Sequence, residues 1–249
     1  MKNWKLNITL FVVAYIVFML AMVPASMVVG SVTLPPTVKL GDVSGSIWNG
    51  NISAVQLKSD VINDVNWQLS PLGLLTGSLS ASVKFGNSRK VAMISGEGDV
   101  ATNFSFDHFS ASDFTLNYPA PELVDRLGLP IPADIGGRVV LKLKDYDQGK
   151  PYCESLNGTI MWNKATVKFG KEFSIGRIDA ELGCAKGEVE LKITKKNPLG
   201  LQITSLIGAK NKFSAKGFIK PNGDMPTEVH NMMKMLGQPD SQGRFPVNF

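Results

Sequence analysis

Residues 77–85 read GSLSASVKF, and this stretch decides the fold because every second side chain from Leu79 onward is apolar. A β-strand turns successive side chains to opposite faces of a sheet, so one face of this strand would be apolar and the other polar. Two further runs alternate in the same way, at 139–144 (VVLKLK) and 189–194 (VELKIT). A sheet with one buried face and one wet face is typical of antiparallel pairing. The sequence therefore predicts a mainly β domain with an antiparallel sheet.

Two short segments carry helical rather than strand spacing. Residues 119–127 (PAPELVDRL) have apolar residues at helical intervals, and residues 228–236 (EVHNMMKML) do the same after Thr227, a candidate N-cap. The stretches GSIWN at 45–49 and GTIMWN at 158–163 also resemble each other. Similar Gly-x-Pro and Gly-Arg sequences follow both helical segments. We therefore predict two short helices and a weak internal duplication of about 110 residues, with repeats at about 37–145 and 150–249.

The N-terminal segment differs from the rest of the chain because it has no charged residue between Leu6 and Val38. At a rise of about 1.5 Å per residue, about 20 apolar residues span a hydrocarbon core of about 30 Å. Residues 6–23 (LNITLFVVAYIVFMLAMV) come close to that length. Lys2 and Lys5 precede the run, so the positive-inside rule keeps the amino end in the cytoplasm and exports the residues beyond it. The segment predicts a single-pass anchor in the inner membrane.

A cleaved signal peptide is the alternative, since the small residues of Val23-Pro24-Ala25-Ser26 lie where a signal peptidase would cut. Signal-peptide apolar regions are usually about 7–15 residues long, which is shorter than this run and favours an uncleaved anchor. The predicted organisation is a cytoplasmic tip and transmembrane anchor over residues 1–30, followed by a β-rich periplasmic domain over residues 31–249.

The composition limits the classes of function. The chain has 249 residues, with 26 Lys and Arg against 21 Asp and Glu, and a formal net charge of +5. This small, scattered excess does not predict nucleic-acid binding. The sequence has only two histidines and two cysteines, which leaves little material for a metal site, and we predict neither a metal ion nor a cofactor.

Both cysteines, Cys153 and Cys184, fall in the predicted exported part. In an oxidising periplasm an isolated pair of cysteines usually forms a disulfide. Closing a loop of this size would stabilise the fold by about 3–4 kcal/mol in the chain-entropy model. Two buried free thiols and a metal-binding pair are the alternatives, although His108 and His230 lie far away in sequence. The spacing excludes a C-x-x-C redox motif.

No catalytic constellation emerges from the motifs. GEGDVA at 96–101 matches G-x-G-x-x-A, but the dinucleotide fingerprint needs a following helix, whereas residues 102–106 (TNFSF) alternate like a strand. A β-turn at 96–101 fits better. DYDQG at 145–149 lacks the downstream ligands of a calcium loop and predicts a solvated turn. A Ser/His/Asp arrangement using His108 or His230 stays open, without a supporting local motif. We predict that the protein is not an enzyme.

A set of motifs occurs in order along the chain: GSIWNG at 45–50, VNWQLSP at 65–71, LLTG at 74–77, GRVVLKLKDY at 137–146, and Cys153 with LNG at 156–158, Trp162 and Cys184. Together with the single N-terminal anchor, this set resembles the bacterial type II secretion system protein N family over nearly the whole chain. The positions that carry the resemblance are Gly45, Trp48, Asn49, Gly50, Trp67, Pro71, Gly137, Arg138, Gly158 and Trp162.

These motif residues have an ordinary structural interpretation. Trp48 and Trp67 each offer a large apolar area and one N–H, which suits packing in a core. Gly45 and Gly50 bracket Trp48 as turn or bulge positions, and Pro71 would end a strand and begin a short helical turn. Binding of a partner protein is the alternative role.

The resemblance implies an accessory inner-membrane component of the machine that exports folded proteins from the periplasm across the outer membrane. Its expected partners are other inner-membrane subunits of that machine and the outer-membrane secretin. The family implies no catalytic residues. Its similarity to AsmA-like proteins implies a curved antiparallel sheet with an apolar trough, so handling of lipid or another hydrophobic ligand is the alternative function.

Overall fold

The computed structural model describes residues 4–58, 60–75, 77–90, 92–127, 134–169, 171–194, 197–220, 222–223 and 237–248. The apolar N-terminal run forms two helices, α1 (Trp4–Ala21) and α2 (Ala25–Ser31), separated by Pro24. Most side chains of α1 are exposed, including Leu10, Phe11 and Phe18. Among the described residues, no helix is both long enough and apolar enough to cross a membrane. The transmembrane anchor therefore stays a prediction.

From Val38 onward the described residues form fourteen strands and two short helices. The strands are β1 (Val38–Leu40), β2 (Val43–Gly45), β3 (Asn49–Leu57), β4 (Asp60–Ser70), β5 (Ser78–Phe85), β6 (Ser95–Asn103), β7 (Phe109–Pro119), β8 (Asp134–Gln148), β9 (Cys153–Phe169), β10 (Lys171–Ala185), β11 (Glu188–Ile193), β12 (Leu201–Gly208), β13 (Lys212–Ile219) and β14 (Phe245–Asn248). The helices are α3 (Pro71–Leu75) and α4 (Ala120–Leu127), and a 3₁₀ turn covers Ala209–Asn211.

All the strands belong to one antiparallel sheet in which, from β3 onward, each strand pairs with the next one along the chain. The short strands β1 and β2 lie end to end against β3 and form one edge, and β14 lies at the other edge. The prediction of a mainly β domain with antiparallel pairing is confirmed. The alternating run at 77–85 forms β5, and 139–144 and 189–194 lie largely in β8 and β11.

Several local predictions are confirmed and others are wrong. The helix predicted at 119–127 is α4, which begins one residue later at Ala120, and Pro71 begins α3. Residues 96–101 and most of 145–149 were predicted as turns but continue strands β6 and β8. Conversely, the strand expected through residues 102–106 ends at Asn103. The predicted helix at 228–236, with Thr227 and His230, lies outside the described residues.

The two ends of the sheet differ in their turns, loops and helices. We call one end the anchor end: it comprises the turn at 46–48, α3, and the turns at 104–108, 149–152, 186–187 and 209–211. Helix α2 packs against β2, next to the first of these turns. The opposite end, which we call the far end, comprises the turn between β3 and β4, the loop at 86–94 and α4.

The sheet buries few side chains completely. The described core cluster consists of Ala165, Ile175 and Ile178, with partly buried Trp162, Val167, Ile193 and Leu199 packed against it. The chain exposes 16378 Å², whereas a compact monomer of this mass exposes about 11,000 Å². The exposed side chains of α1 contribute to this excess, and the strand order, with β1 and β2 at one end and β14 at the other, is that of an open sheet.

Candidate functional site: an apolar sheet face and the motif at its edge

The register of the sheet aligns apolar side chains in rows that cross the strands. One row pairs Phe85, Gly96, Leu116, Leu141, Ile160 and Ala180 across strands β5 to β10. It resumes with Ile193, Ile203, Gly217 and Val247 across β11 to β14. Because directly opposite residues point to the same side, these rows define one apolar face of the sheet.

The adjacent row points to the other side and is polar from edge to edge. It consists of Asn51, Asn66, Lys84, Glu97, Thr115, Lys142, Thr159, Glu181, Lys192, Thr204, Lys216 and Asn248. Within it, Lys84 forms an exposed ion pair with Glu97 at 2.8 Å. The sheet is therefore amphipathic over its full width, with one face suited to water and one suited to apolar contact.

The apolar face lacks a complete cover in the described part of the chain. The described helices pack mainly against β2, β5, β7 and β8, which leaves the apolar face of β9 to β13 without a helix over it. Phe85, Leu116, Leu141 and Ile160 are only half-buried. Ala180 and Val247 of the same rows are buried, so the apolar face is partly shielded from solvent even where no described helix lies over it.

One side-chain hydrogen bond links two strands that are not neighbours. Tyr118 of β7 pairs with Val139, on the apolar side, and its hydroxyl donates to the Asp60 carboxylate of β4 at 3.1 Å. Strands β5 and β6 lie between these two strands in the sheet, so the bond joins β4 to β7 across two intervening strands.

At the far end of the sheet, a cavity of about 960 Å³ opens between the β3–β4 turn, the loop at 86–94 and α4. Its lining mixes charged and apolar side chains, among them Lys58, Asp60, Met93, Glu122 and Asp125. No group of three or more His, Cys, Asp or Glu residues in the described ranges has the geometry to hold a metal ion.

The motif residues 45–50 form a tight turn between β2 and β3. Gly45 pairs with Gly50 and has a φ of +84°, where a Cβ atom would also contact the Asn49 carbonyl oxygen. Trp67 pairs with Gly50, and a Cβ atom on Gly50 would contact the indole ring. The Trp67 Nε1–H donates to the Ile47 carbonyl oxygen at 2.9 Å, so this indole clamps the turn. Gly45 and Gly50, which the sequence predicts at turn or bulge positions, lie in β2 and β3 and flank the turn at 46–48.

The same turn holds the end of the N-terminal helical segment. The Ile47 N–H donates to the Val23 carbonyl oxygen at 3.1 Å, and Pro24 forms a bridge with Ser46. Ala25, the first residue of α2, is almost completely buried. A continuous series of hydrogen bonds therefore runs from Trp67 through Ile47 to Val23 and fixes the exit of α1 to the sheet edge.

The remaining motif residues have local contacts elsewhere in the sheet. The Arg138 guanidinium donates to the carbonyl oxygens of Ser88 and Lys90, both at 2.6 Å, and thereby holds the loop at 86–94. Gly137 has a φ of +101°, at an irregularity in the β8–β9 pairing. The Trp162 Nε1–H donates to the Gly136 carbonyl oxygen at 2.9 Å.

Three motif residues complete the set. Gly158 is buried, and a Cβ atom there would lie 2.7 Å from the Lys142 carbonyl oxygen. Trp48 is half-buried, and its carbonyl oxygen accepts from the Leu69 N–H at 2.7 Å. The Asn49 N–H donates to the Ser46 hydroxyl at 3.2 Å. In each case the contacts lie within the sheet or its turns.

Cys153 and Cys184 form a disulfide at the anchor end, with Cα atoms 6.1 Å apart. Cys153 is buried, and the N–H groups of Tyr152 and Cys153 both donate to the Gly187 carbonyl oxygen. The bond therefore joins the turn at 149–152 to the β10–β11 hairpin.

His108 lies on the surface of the anchor end rather than in a cleft. Its Nε2 atom is 2.7 Å from an Asp147 carboxylate oxygen, and both side chains are nearly half exposed. His230, the other candidate for a hydrolytic site, lies outside the described residues.

The turn before β14 is organised by one carboxylate. The N–H groups of Gln242 and Arg244 donate to Asp240, and the Arg244 Nε–H donates to it at 2.7 Å. The hydrogen bond from the Arg244 backbone N–H is the largest of the effects that lower the pKa of the Asp240 carboxyl below its ordinary value. Arg244 also lies over the Phe218 ring, 4.6 Å from its centroid, and so ties the turn to β13.

Comparisons with known proteins agree on one family. The family model described as type II secretion system (T2SS), protein N, matches residues 36–248. The type II secretion system protein N of Aeromonas hydrophila is 31% identical over 259 residues, which cover 100% of this chain and 98% of the relative. The protein of the same name from Vibrio cholerae serotype O1 is 28% identical over 90% of this chain and 89% of the relative. No solved structure matches the chain.

Proposed function

The chain belongs to the type II secretion system protein N family, and from this premise we propose that it is an accessory, non-enzymatic component of type II secretion. The observation that carries the proposal is the family match along residues 36–248, which takes in all fourteen strands completely. The match therefore concerns the whole sheet and not one motif within it.

We place residues 1–30 in the inner membrane as a single-pass anchor and residues 31–249 in the periplasm. The support is the charge-free run from Leu6 to Val38 after Lys2 and Lys5, and the exposure of apolar side chains on all sides of α1. A helix that is apolar all round is stable only in an apolar environment. The disulfide between Cys153 and Cys184 also suits an oxidising compartment.

The contacts of the motif residues support a scaffold role. The end of α1 is held at the sheet edge by the turn at 46–49, which Trp67 clamps against Gly50. The loop at 86–94 is held by Arg138, so these residues stabilise the surface that a partner would meet. The proposed partners are other inner-membrane subunits of the secretion machine, and also the outer-membrane secretin.

Affinity purification tests this proposal. The tagged full chain would be crosslinked in native membranes, purified and analysed by mass spectrometry, beside an unrelated single-pass protein expressed at the same level. Enrichment of secretion subunits with this chain alone is the expected result. Recovery of the same background proteins with both baits would refute the scaffold role.

A second candidate function is the handling of lipid or another hydrophobic ligand along the apolar face. The observation that favours it is the half-buried apolar row from Phe85 to Ile160, which continues onto strands β10 to β13, where the described helices do not mainly pack. Acyl chains lying on this face would remove it from water without a protein partner.

Lipid quantitation can separate this function from the scaffold role. Leu141→Glu would place a charge on the apolar face, whereas Lys142→Glu changes the adjacent residue on the polar face. If the face holds lipid, the first variant purifies with less lipid per chain than the wild type and the second does not. Equal lipid content in all three proteins would exclude lipid on this face, because lipids around α1 are common to them.

A further inference from the structure

We propose that the anchor end of the sheet docks onto the surface of a bilayer that contains anionic lipid. The inference rests on the proposed membrane anchor and adds a second, peripheral contact. Six exposed apolar side chains at this end form what we call the apolar rim: Leu72, Phe104, Phe106, Phe109, Ile207 and Phe213. They are between 39% and 71% exposed.

The location of the rim is the first argument. Among the described residues after residue 35, only two other large apolar side chains reach comparable exposure, Leu57 and Val61, and both lie at the far end. Exposed apolar side chains are thus concentrated where α1 joins the sheet. Aromatic residues are enriched at membrane–water interfaces, where their rings lie at the level of the lipid headgroups.

The turn at 104–108 carries Phe104 and Phe106 and leads into Phe109, and hydrogen bonds hold it in place. The Asn103 side chain hydrogen-bonds to Asp107 through both the backbone and the carboxylate of that residue. The Phe109 N–H donates to the Gln148 side chain at 2.9 Å, and His108 contacts Asp147. The backbone that carries these three aromatic side chains is therefore fixed at the end of the sheet.

Phe106 has an unusual backbone. Its φ is +55°, in the left-handed region that bulky side chains rarely occupy. A glycine or asparagine would be less strained at this turn position, and a polar residue would be better solvated. Local strain combined with solvent exposure points to a function for this ring outside the folded domain.

The charges at the anchor end select the kind of membrane. Its turns carry the exposed side chains of Lys150, Lys186 and Lys210, with Lys212 at the start of β13. Asp107 is the exposed acid in the same turns, and at the adjoining strand ends lie Asp147 beside His108, Glu154 in β9 and Glu188 at the start of β11. The turns themselves, which would meet the membrane first, carry three exposed lysines against one exposed acid, and lysines near a membrane surface are attracted by anionic lipids.

The link between α1 and the sheet makes the docking geometrically feasible. The hydrogen bond from Ile47 to Val23 and the bridge between Pro24 and Ser46 place the end of α1 at the same end as the rim. A helix inserted in the bilayer would hold the rim within a short distance of the headgroups, which raises its effective concentration there.

A fluorescent probe at single introduced cysteines tests the proposal in the full chain. The native cysteines are joined in a disulfide, so Phe106→Cys and the matched far-end control Val61→Cys each provide one free thiol. Each labelled protein is placed in nanodiscs of phosphatidylcholine with phosphatidylglycerol. Quenching is measured with doxyl-labelled lipid and, separately, with aqueous iodide. The expected result is that doxyl-labelled lipid quenches the probe at residue 106, whereas iodide quenches the probe at residue 61.

A charge-reversal arm tests the lipid preference. Lys186→Glu combined with Lys210→Glu should reduce the doxyl quenching at residue 106, and a matched pair at the far end, Lys58→Glu with Lys90→Glu, should not. In nanodiscs of phosphatidylcholine alone, doxyl quenching at residue 106 should be weaker, even in the protein that retains all its native lysines. Circular dichroism confirms that each variant retains the sheet.

Each outcome decides a different point. If the chain enters nanodiscs but the label at residue 106 is quenched by iodide like the label at 61, the rim does not dock and the anchor still stands. If the chain does not enter nanodiscs, the anchor and the docking both fail. The recovery of secretion subunits by affinity purification is measured independently of both results. Failure of the docking is therefore distinguishable from failure of the proposed function.

Discussion

Removal of the disulfide should weaken the fold by a predictable amount. Cys153 and Cys184 are 31 residues apart, so the chain-entropy model gives a loss of about 3–4 kcal/mol in the free energy of unfolding. Beyond the last strand pairs of β9 and β10, the turns at 149–152 and 186–187 are joined by this bond and by the hydrogen bonds from the Tyr152 and Cys153 N–H groups to the Gly187 carbonyl oxygen. For a domain of this size, about 3–4 kcal/mol corresponds to a fall in Tm of about 6–16 °C.

The perturbation is Cys153→Ala combined with Cys184→Ala in the full chain in detergent micelles. Urea unfolding followed by tryptophan fluorescence gives the free energy, and wild-type protein treated with reductant provides the matched control. The reduced wild type lacks the crosslink but retains both sulfur atoms, so any further loss in the alanine variant reports packing of the buried Cys153 side chain. A loss below about 1 kcal/mol in both proteins would refute the assigned structural role of the bond.

Three further predictions concern the turns. Trp67→Phe removes the donor to Ile47 and should cost about 1–3 kcal/mol and speed hydrogen exchange at Ala25, whereas Trp162→Phe should leave exchange at Ala25 unchanged. Gly50→Val forces the Trp67 ring aside and should lower the urea midpoint by an amount equivalent to about 1–3 kcal/mol. Because the folded-state pKa of Asp240 is lowered, its stabilisation of the β14 turn is present at neutral pH and is lost as pH falls through that pKa, and Asp240→Asn should abolish this pH dependence of exchange in β14. Unchanged exchange at Ala25, an unchanged midpoint or a retained pH dependence would contradict the respective prediction.

The sequence predicts the strands well where the period of burial is undisturbed. Leu79, Val83 and Leu141 alternate with polar neighbours because one side of the sheet faces water, and this one-sided burial is visible in any single strand. The same one-sided burial also predicts that the strands pair in an antiparallel direction. The bounds are less predictable because bulges near Asp113 and Lys164 let strands continue through positions with left-handed backbone.

The sequence interpretation was wrong at two places, for two different physical reasons. Gly98 lies inside β6 because a Cβ atom there would contact Phe114 of the next strand, so this glycine serves close packing rather than a turn. Phe104 and Phe106 were expected in a strand because their spacing alternates, yet they lie in a turn. The flanking Asn103 and Asp107, which form an Asx-type hydrogen-bonded turn, are the signal that could have identified it.

The role of the family motif could not be derived from spacing. Trp67 reaches Ile47 across 20 residues, and Ile47 reaches Val23 across a further 24, so the connection from the N-terminal helices to the sheet depends on tertiary contacts. The internal duplication at about 37–145 and 150–249 stays a prediction, since the two segments lie in one continuous sheet.

Photocrosslinking from the two faces of β8 tests the central claim most directly. A photoreactive phenylalanine analogue would replace Leu141 on the apolar face or Lys142 on the polar face, in cells that express the complete secretion machine. The scaffold account predicts adducts with a type II secretion subunit from residue 141 and few or none from residue 142. The absence of subunit adducts at 141, or equal yields from both positions, would contradict it, and lipid adducts at 141 without a subunit would favour the lipid-handling function instead.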